Sequence, residues 1–372
     1  MRVAIRTDAS LHIGSGHVMR CLTLADALKA QGVDCYFISR AHPGHMIEFI
    51  RQRNHTAAAI PAGQLSSASA DDSVAQHAHA AWLDSTWRTD AQETAAVLAR
   101  LQPDWLVVDH YALDQRWEKA VASHYKKLMV IDDLADRLHS CDLLLDQNLG
   151  RQAQDYASLV PTHCQVLTGP HFALLRPDFA ALRPYSLQRR QDQPALHQLL
   201  ITMGGVDEPN ATGQVLQALK TCALPTNCRI TVIMGLTALW LQNVQQLAAK
   251  MPWPTEVVVN VTDMAQRMAD SDLAIGAAGS TSWERCCLAL PTLLVVLADN
   301  QRAIATGLQR AGAAIALDLS KSDQFGRTLK NAVKQLADNE IDLMHLSQAA
   351  AKVTNGCGTN LVVGQMLGKH LL

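Results

Sequence analysis

Two short runs of small residues carry the strongest chemical signal in this chain. Gly14-Ser15-Gly16-His17 lies between an apolar run, Val3-Ala4-Ile5, and a helical pattern that begins near Val18. A second run, Gly276-Ala277-Ala278-Gly279-Ser280-Thr281-Ser282-Trp283-Glu284, also follows an apolar strand (Leu273-Ala274-Ile275) and opens a helix. Such a turn points backbone N–H groups and the positive end of a helix at its occupant, so phosphate suits it. Two of them in separate halves predict a phosphorylated ligand held in a cleft between two domains. An arbitrary histidine is more often a helix cap or a core residue, but His17 stands at the phosphate-type loop itself. A helix start favours neutral imidazole, the form a general base must have at pH 7. Asp8 and Asp109 are both candidates to orient its other nitrogen, and spacing does not choose between them.

Open α/β sheets bind ligands outside the carboxyl ends of their strands. In the first half those ends carry Asp8, then Asp109-His110-Tyr111, Asp132-Asp133 and Asp146-Gln147-Asn148. In the second half they carry Gly204-Gly205, Met234-Gly235, Gly279-Ser280-Thr281 and Asp299-Asn300-Gln301. One such cluster reads as strand caps and turn residues; their recurrence along one edge of each expected sheet favours ligand contact. A dinucleotide fingerprint is excluded, because position 19 is Met rather than the third glycine and Asp34 precedes the second strand. A P-loop is excluded as well, since no Gly-Lys-Ser/Thr follows either loop. Glu284 has two readings that spacing leaves open. Thr281-x-x-Glu284 fits a capping box, and a glutamate near a helix start also suits two ribose hydroxyls.

The elements that must position these residues alternate strand and helix throughout, which implies parallel sheets covered on both faces. Strands are expected at residues 3–5, 35–38, 105–108, 128–131 and 143–145, then at 199–202, 230–234, 256–259, 273–275, 292–297 and 313–317. Residues 61–80 are small and polar and read as a surface loop. Residues 176–194, with prolines and charges but no apolar periodicity, read as the interdomain connection. The fold expectation is α/β, two Rossmann-like domains facing a cleft, spanning 1–184 and 185–372, the latter closed by the last amphipathic helices.

At 372 residues, 48% of them hydrophobic, the chain is long enough for two cores. A net charge of −2 without an arginine stripe argues against nucleic-acid or anionic-membrane binding. The nine cysteines are scattered without a CxxC pair, which reads as reduced thiols rather than a zinc site or a disulfide framework. With no apolar stretch near the ~20 residues that span a bilayer and no signal-peptide core, the expectation is a cytoplasmic protein with no obligate protein partner. Asp132, Asp133, Asp142 and Asp146 read as strand ends, caps and sugar contacts rather than a Mg²⁺ site.

These residues resemble, in order and over most of the chain, the UDP-2,4-diacetamido-2,4,6-trideoxy-β-L-altropyranose hydrolases of pseudaminic acid biosynthesis. The resemblance runs through Arg6–Ser10, Ile13–Cys21, Asp104–Asp114, Ile131–Arg137, Cys141–Asn148, Ala173–Pro177, Met203–Gly205 and Gly279–Cys287, with Ala278 where the family loop carries glycine. The second half is also similar to that of the N-acetylglucosaminyltransferase that makes lipid II. The resemblance implies a glycosyltransferase-B-like fold and metal-independent hydrolysis of a UDP-sugar, with no cofactor and with water and the UDP-sugar as the only reaction partners. His17 carries over as general base, with Gly14, Ser15, Gly16, Asp8, Asp109, His110, Tyr111, Gln147, Asn148 and Arg176 about the sugar. Gly204, Gly205, Met234, Gly235, Gly279, Ser280, Thr281, Glu284, Asn300 and Gln301 are implied to hold UDP. A UDP-sugar glycosyltransferase of the same fold is the alternative, and a non-catalytic nucleotide-sugar binder is a third reading that His17 disfavours.

Overall fold

The computed structural model describes residues 1–63, 78–192, 195–235, 238–320 and 322–369. Of the expected loop at 61–80, residues 64–77 lie outside the described residues. The chain forms two compact units, Met1–Leu174 with Thr359–Leu372, and Leu175–Gly358.

The first unit is built on seven strands: β1 (Arg2–Thr7), β2 (Asp34–Arg40), β3 (Thr56–Ile60), β4 (Trp105–Asp109), β5 (Lys127–Ile131), β6 (Leu143–Asp146) and β7 (Gln165–Thr168). They pair in the order β3-β2-β1-β4-β5-β6-β7, each pair parallel. A parallel sheet with two covered faces calls for strands that are apolar throughout, and β4 is buried at every position. Val3 and Ile5 pack on one face with Val18, Cys21 and Leu24 of α1 (Gly16–Ala30). Ala4 turns to the other face, with Leu98 of α3 (Trp87–Leu101) and Trp117 of α4 (Gln115–Ala120). α2 (Ile47–Gln52) adds Ile47 and Ile50 to the first face.

The second unit repeats the plan with β8 (Gln198–Thr202), β9 (Arg229–Met234), β10 (Thr255–Val259), β11 (Leu273–Ala277), β12 (Thr292–Val296) and β13 (Ile315–Asp318) in the order β10-β9-β8-β11-β12-β13. Its helices are α5 (Pro177–Asp192), α6 (Ala211–Leu219), α7 (Leu241–Ala248), α8 (Met264–Asp270), α9 (Thr281–Cys287), α10 (Arg302–Arg310), α11 (Ser322–Asp338) and α12 (Glu340–Ala351). Each sheet therefore reverses direction once, between β1 and β4 and between β8 and β11. Ligands of doubly wound sheets bind at that reversal.

Two expectations are corrected here. The stretch read as a connection is the sixteen-residue helix α5, and its charges serve the second unit. Arg190 is buried and donates to the carbonyls of Met268, Ala269 and Ser271 at the end of α8. Arg183 donates to the carbonyls of Cys287, Ala351 and Thr354, closing α9 and α12. Cations at helix C-termini satisfy carbonyls left without intrahelical partners. The second correction concerns boundaries. The break falls at 174/175 rather than 184/185, and α13 (Gly358–Leu367) buries Val362, Val363 and Met366 in the core of the first unit.

Candidate active site and phosphate-binding loops

In the first unit, β1 leads through Gly14 into α1. Gly14 has φ +77° and donates its N–H to the Ser10 carbonyl at 2.9 Å, a tight turn that a side chain would strain. Ser15 caps α1 through its backbone, without a side-chain bond, and Gly16 and His17 are its first two residues. This places His17 beside the end of β4, whose last residue, Asp109, pairs in register with Thr7 of β1.

His17 Nδ1 lies 2.6 Å from Asp109 Oδ1. Arg20, one helical turn on, grips the same carboxylate through Nε (2.6 Å) and Nη2 (2.7 Å). Its Nη1 reaches Asp133 at 2.7 Å, and Tyr111 donates to that Asp133 oxygen at 2.6 Å. Burial alone would raise Asp109, but Arg20 and His17 hold it well below the usual carboxylate range. Being ionised, Asp109 only accepts, so Nδ1 carries a proton, and in the neutral ring the lone pair is on Nε2. Arg20 Nη2 at 3.4 Å from Nδ1 is too distant to reverse that choice against a 2.6 Å carboxylate. The orienting acid left open between Asp8 and Asp109 is therefore Asp109.

Asp8 has another task. It is fully buried, accepting from Arg6 Nη1 at 2.5 Å and from the Arg40 N–H at 2.7 Å. Arg6 and Arg40 also converge on Asp90, which takes a bond from Trp117 Nε1 at 2.9 Å. His110 sits against Asp8 at 3.3 Å, itself 3% exposed. Asp8 and His110 thus belong to an ion cluster under the sheet edge rather than to a sugar-facing surface. Gln147 accepts from the Leu174 N–H at 2.8 Å, and Asn148 donates to the Asp133 carbonyl at 2.9 Å. Asp132 bonds Arg137 and Tyr156, while Asp142 caps the Leu128 N–H. Asp146 bonds Tyr156 and Arg151; burial and then Asp133 push its carboxyl up to about 7.

In the second unit Gly204 (φ +92°) and Gly205 follow β8, next to the loop after β11. A side chain at Gly235 would run into the Gly205 carbonyl, so the loops after β8 and β9 meet backbone to backbone. Beyond the Cα of Gly204 and of Gly279 there is open space. The capping box is not formed. Ser280, not Thr281, is the N-cap of α9, with no side-chain bond to the helix start, and Glu284 falls one residue too late. The Thr281 hydroxyl instead accepts from Arg285 at 3.2 Å. Burial pushes Glu284 up to about 7, against the lowering effect of Arg176 and Arg285. Arg176 thus lies in the second unit, near Glu284. Met234 is 3% exposed and its side chain fills the core, which leaves it no ligand-facing surface. Gln301 folds back to accept from the Leu297 N–H at 2.9 Å, while Asn300 is exposed.

Arg285 was not singled out from the sequence. It is 1% exposed, lies beneath Gly276, and bonds the Ala277 carbonyl at 2.7 Å and Ser282 at 3.1 Å. Among the described residues no salt bridge neutralises it, and burial pulls its guanidinium down to about 10. Arg20 was equally missed, although its spacing from His17 (i, i+3) puts both on one helix face. All nine cysteines are unbridged, and no described helix is long and apolar enough to cross a membrane.

Comparison with known proteins places these units. The glycosyltransferase family 28 C-terminal domain matches residues 199–356. A UDP-2,4-diacetamido-2,4,6-trideoxy-beta-L-altropyranose hydrolase of Campylobacter jejuni is 26% identical over 84% of this chain and 97% of that relative. The spore coat polysaccharide biosynthesis protein SpsG of Bacillus subtilis is 26% identical over 44% of this chain and 46% of its own length. Among solved structures, Acinetobacter baumannii MurG superposes with a TM-score of 0.68 at 17% identity, over 99% of both chains. The chain is therefore an α/β protein of two parallel-sheet domains with a glycosyltransferase-B-like fold, and its residues 199–356 are similar to the glycosyltransferase family 28 C-terminal domain.

Proposed function

We propose that this protein hydrolyses a UDP-sugar, UDP-2,4-diacetamido-2,4,6-trideoxy-β-L-altropyranose, to the free sugar and UDP. The observation that carries the reading is the His17–Asp109 pair: Nδ1–H held by an ionised carboxylate, Nε2 left as a base. Similarity to the Campylobacter hydrolase along 97% of that relative supports the substrate class.

In this reading His17 Nε2 takes a proton from water as the oxygen attacks the anomeric carbon. Asp109 stabilises the imidazolium that forms, as a carboxylate behind a catalytic histidine does. The C–O bond to UDP breaks with inversion, and the electron pair leaves on the diphosphate. Its charge is met by the N–H groups of Gly204-Gly205 and Gly279-Ser280-Thr281, with the buried Arg285 beneath Gly276. Glu284, free of the capping role, accepts the ribose hydroxyls. No step calls on a metal, since the aspartates of the first unit are engaged by their own donors.

Incubation with this UDP-sugar and excess EDTA, with no acceptor added, tests the proposal: UDP should be released stoichiometrically with free sugar. The family 28 domain also supports a second reading, a UDP-sugar glycosyltransferase in which His17 deprotonates an acceptor hydroxyl. UDP release only on adding an acceptor would favour that reading.

A further inference from the structure

The catalytic imidazole is walled by aromatic rings that the chemistry above does not use. Trp82 stacks on Tyr111 (centroids 5.5 Å apart, planes at 23°), and the His17 ring meets both edge-on, at 4.6 Å from Tyr111 and 6.1 Å from Trp82. His79 closes the cluster at 4.6 Å from Trp82 and 5.2 Å from Tyr111. Its Nδ1 is buried and has no hydrogen-bond partner among the described residues.

Local geometry explains why Trp82 stands there. Residues Ala80–Leu83 form a 3-10 turn in which Leu83 drops into the core at 2% exposure, while Trp82 stays half-buried on the His17 side. Asp84 ends the turn in the left-handed region (φ 51°), and a side chain at Gly63 would run into its carbonyl. A tryptophan recruited only for stability would be enclosed like Trp117, which is 0% exposed. Trp82 instead keeps part of its surface exposed while its ring stands 6.1 Å from that of His17. Aromatic faces of this kind take up C–H-rich, unhydroxylated surface and disfavour hydroxyls that would lose their water.

We propose that Trp82 is a specificity-determining residue: its face receives an unhydroxylated group of the sugar, a deoxy carbon's methyl, and so selects deoxy over fully hydroxylated UDP-sugars. This deepens the hydrolase reading and rests on it. Tyr111 and His79 hold the indole in plane.

Two measurements test it. In saturation-transfer NMR with the free 2,4-diacetamido-2,4,6-trideoxy sugar, the C6 methyl should receive the strongest transfer from the wild-type protein. That signal should drop several-fold in Trp82→Ala and return in Trp82→Phe. In turnover, Trp82→Ala should lower kcat/KM for the 6-deoxy UDP-sugar relative to its 6-hydroxy counterpart by about 10–100-fold, the range for a methyl-sized group in an apolar pocket. Equal losses on both substrates, or unchanged transfer to the methyl, would overturn the proposal. Absence of UDP release by the wild-type protein would instead count against the hydrolase reading, and the binding preference would still decide the role of Trp82.

Discussion

The two sheets share one strand order and furnish their reversal points in opposite ways. At the β1/β4 reversal the charges are paired and enclosed: Arg6, Arg20 and Arg40 each hold aspartates within 2.7 Å, and His17 is clamped by one of them. At the β8/β11 reversal the loops are bare backbone, Gly204 and Gly279 face open space, and Arg285, beneath Gly276, has no salt-bridge partner among the described residues. The difference fits what the proposed reaction asks of each site. A base must be held in one tautomer and one orientation, which takes a buried network around its inner nitrogen. A diphosphate needs N–H donors at close range and positive potential, and a paired carboxylate there would repel it.

The largest expected effect comes from removing the proposed base. His17→Asn should cut UDP release by about 10²–10⁴-fold with little change in UDP affinity by calorimetry. A parallel loss of UDP affinity would break the division of labour between the two loops. Asp109→Asn should both slow turnover and leave Arg20 buried beside a neutral amide. Breaking one partner of a buried ion pair costs about 3–5 kcal/mol, readable as a lowered denaturant midpoint.

Gly279→Val sharpens the comparison from the other side. Its backbone is outside the left-handed region and a Cβ there meets nothing within 4 Å. Stability should stay within about 0.5 kcal/mol, while UDP affinity falls at least about tenfold, since roughly 1.4 kcal/mol of lost contact suffices. The smallest effect is on Glu284. Its folded value of about 7 lies above the ordinary 4.5, so the folded state holds the proton more tightly and stability falls as pH rises across that window. Glu284→Gln should therefore leave the apo melting temperature at pH 8 unchanged or higher. In the wild-type protein UDP affinity should gain from carboxylate ionisation between pH 6 and 8, and that gain should vanish in the Gln variant.

Much of this was legible in the residues, and the exceptions have physical causes. Apolar runs such as Trp-Leu-Val-Val at 105–108 announced the inner strands, which need greasy side chains on both faces. β3, Thr-Ala-Ala-Ala-Ile, and β7, Gln-Val-Leu-Thr, escaped because the sheet edge pairs on one side only and tolerates weak β-formers. α5 was mistaken for a connection because its arginines look solvated in sequence, whereas Arg183 and Arg190 are spent on the carbonyl ends of other helices. The glycine loops and His17 stood out by spacing. The choice of Asp109 over Asp8 depended on strand register, Thr7 against Asp109, which no spacing along the chain encodes. Trp82 gave no signal, because it adjoins a polar segment and acts through rings distant in sequence.

Hydrolysis in ¹⁸O-labelled water tests the central claim most directly, that water activated by His17 attacks the anomeric carbon. With EDTA present and no acceptor, the label should appear in the C1 hydroxyl of the released sugar and UDP should stay unlabelled. Label in the UDP β-phosphate would place the attack at phosphorus and contradict the account.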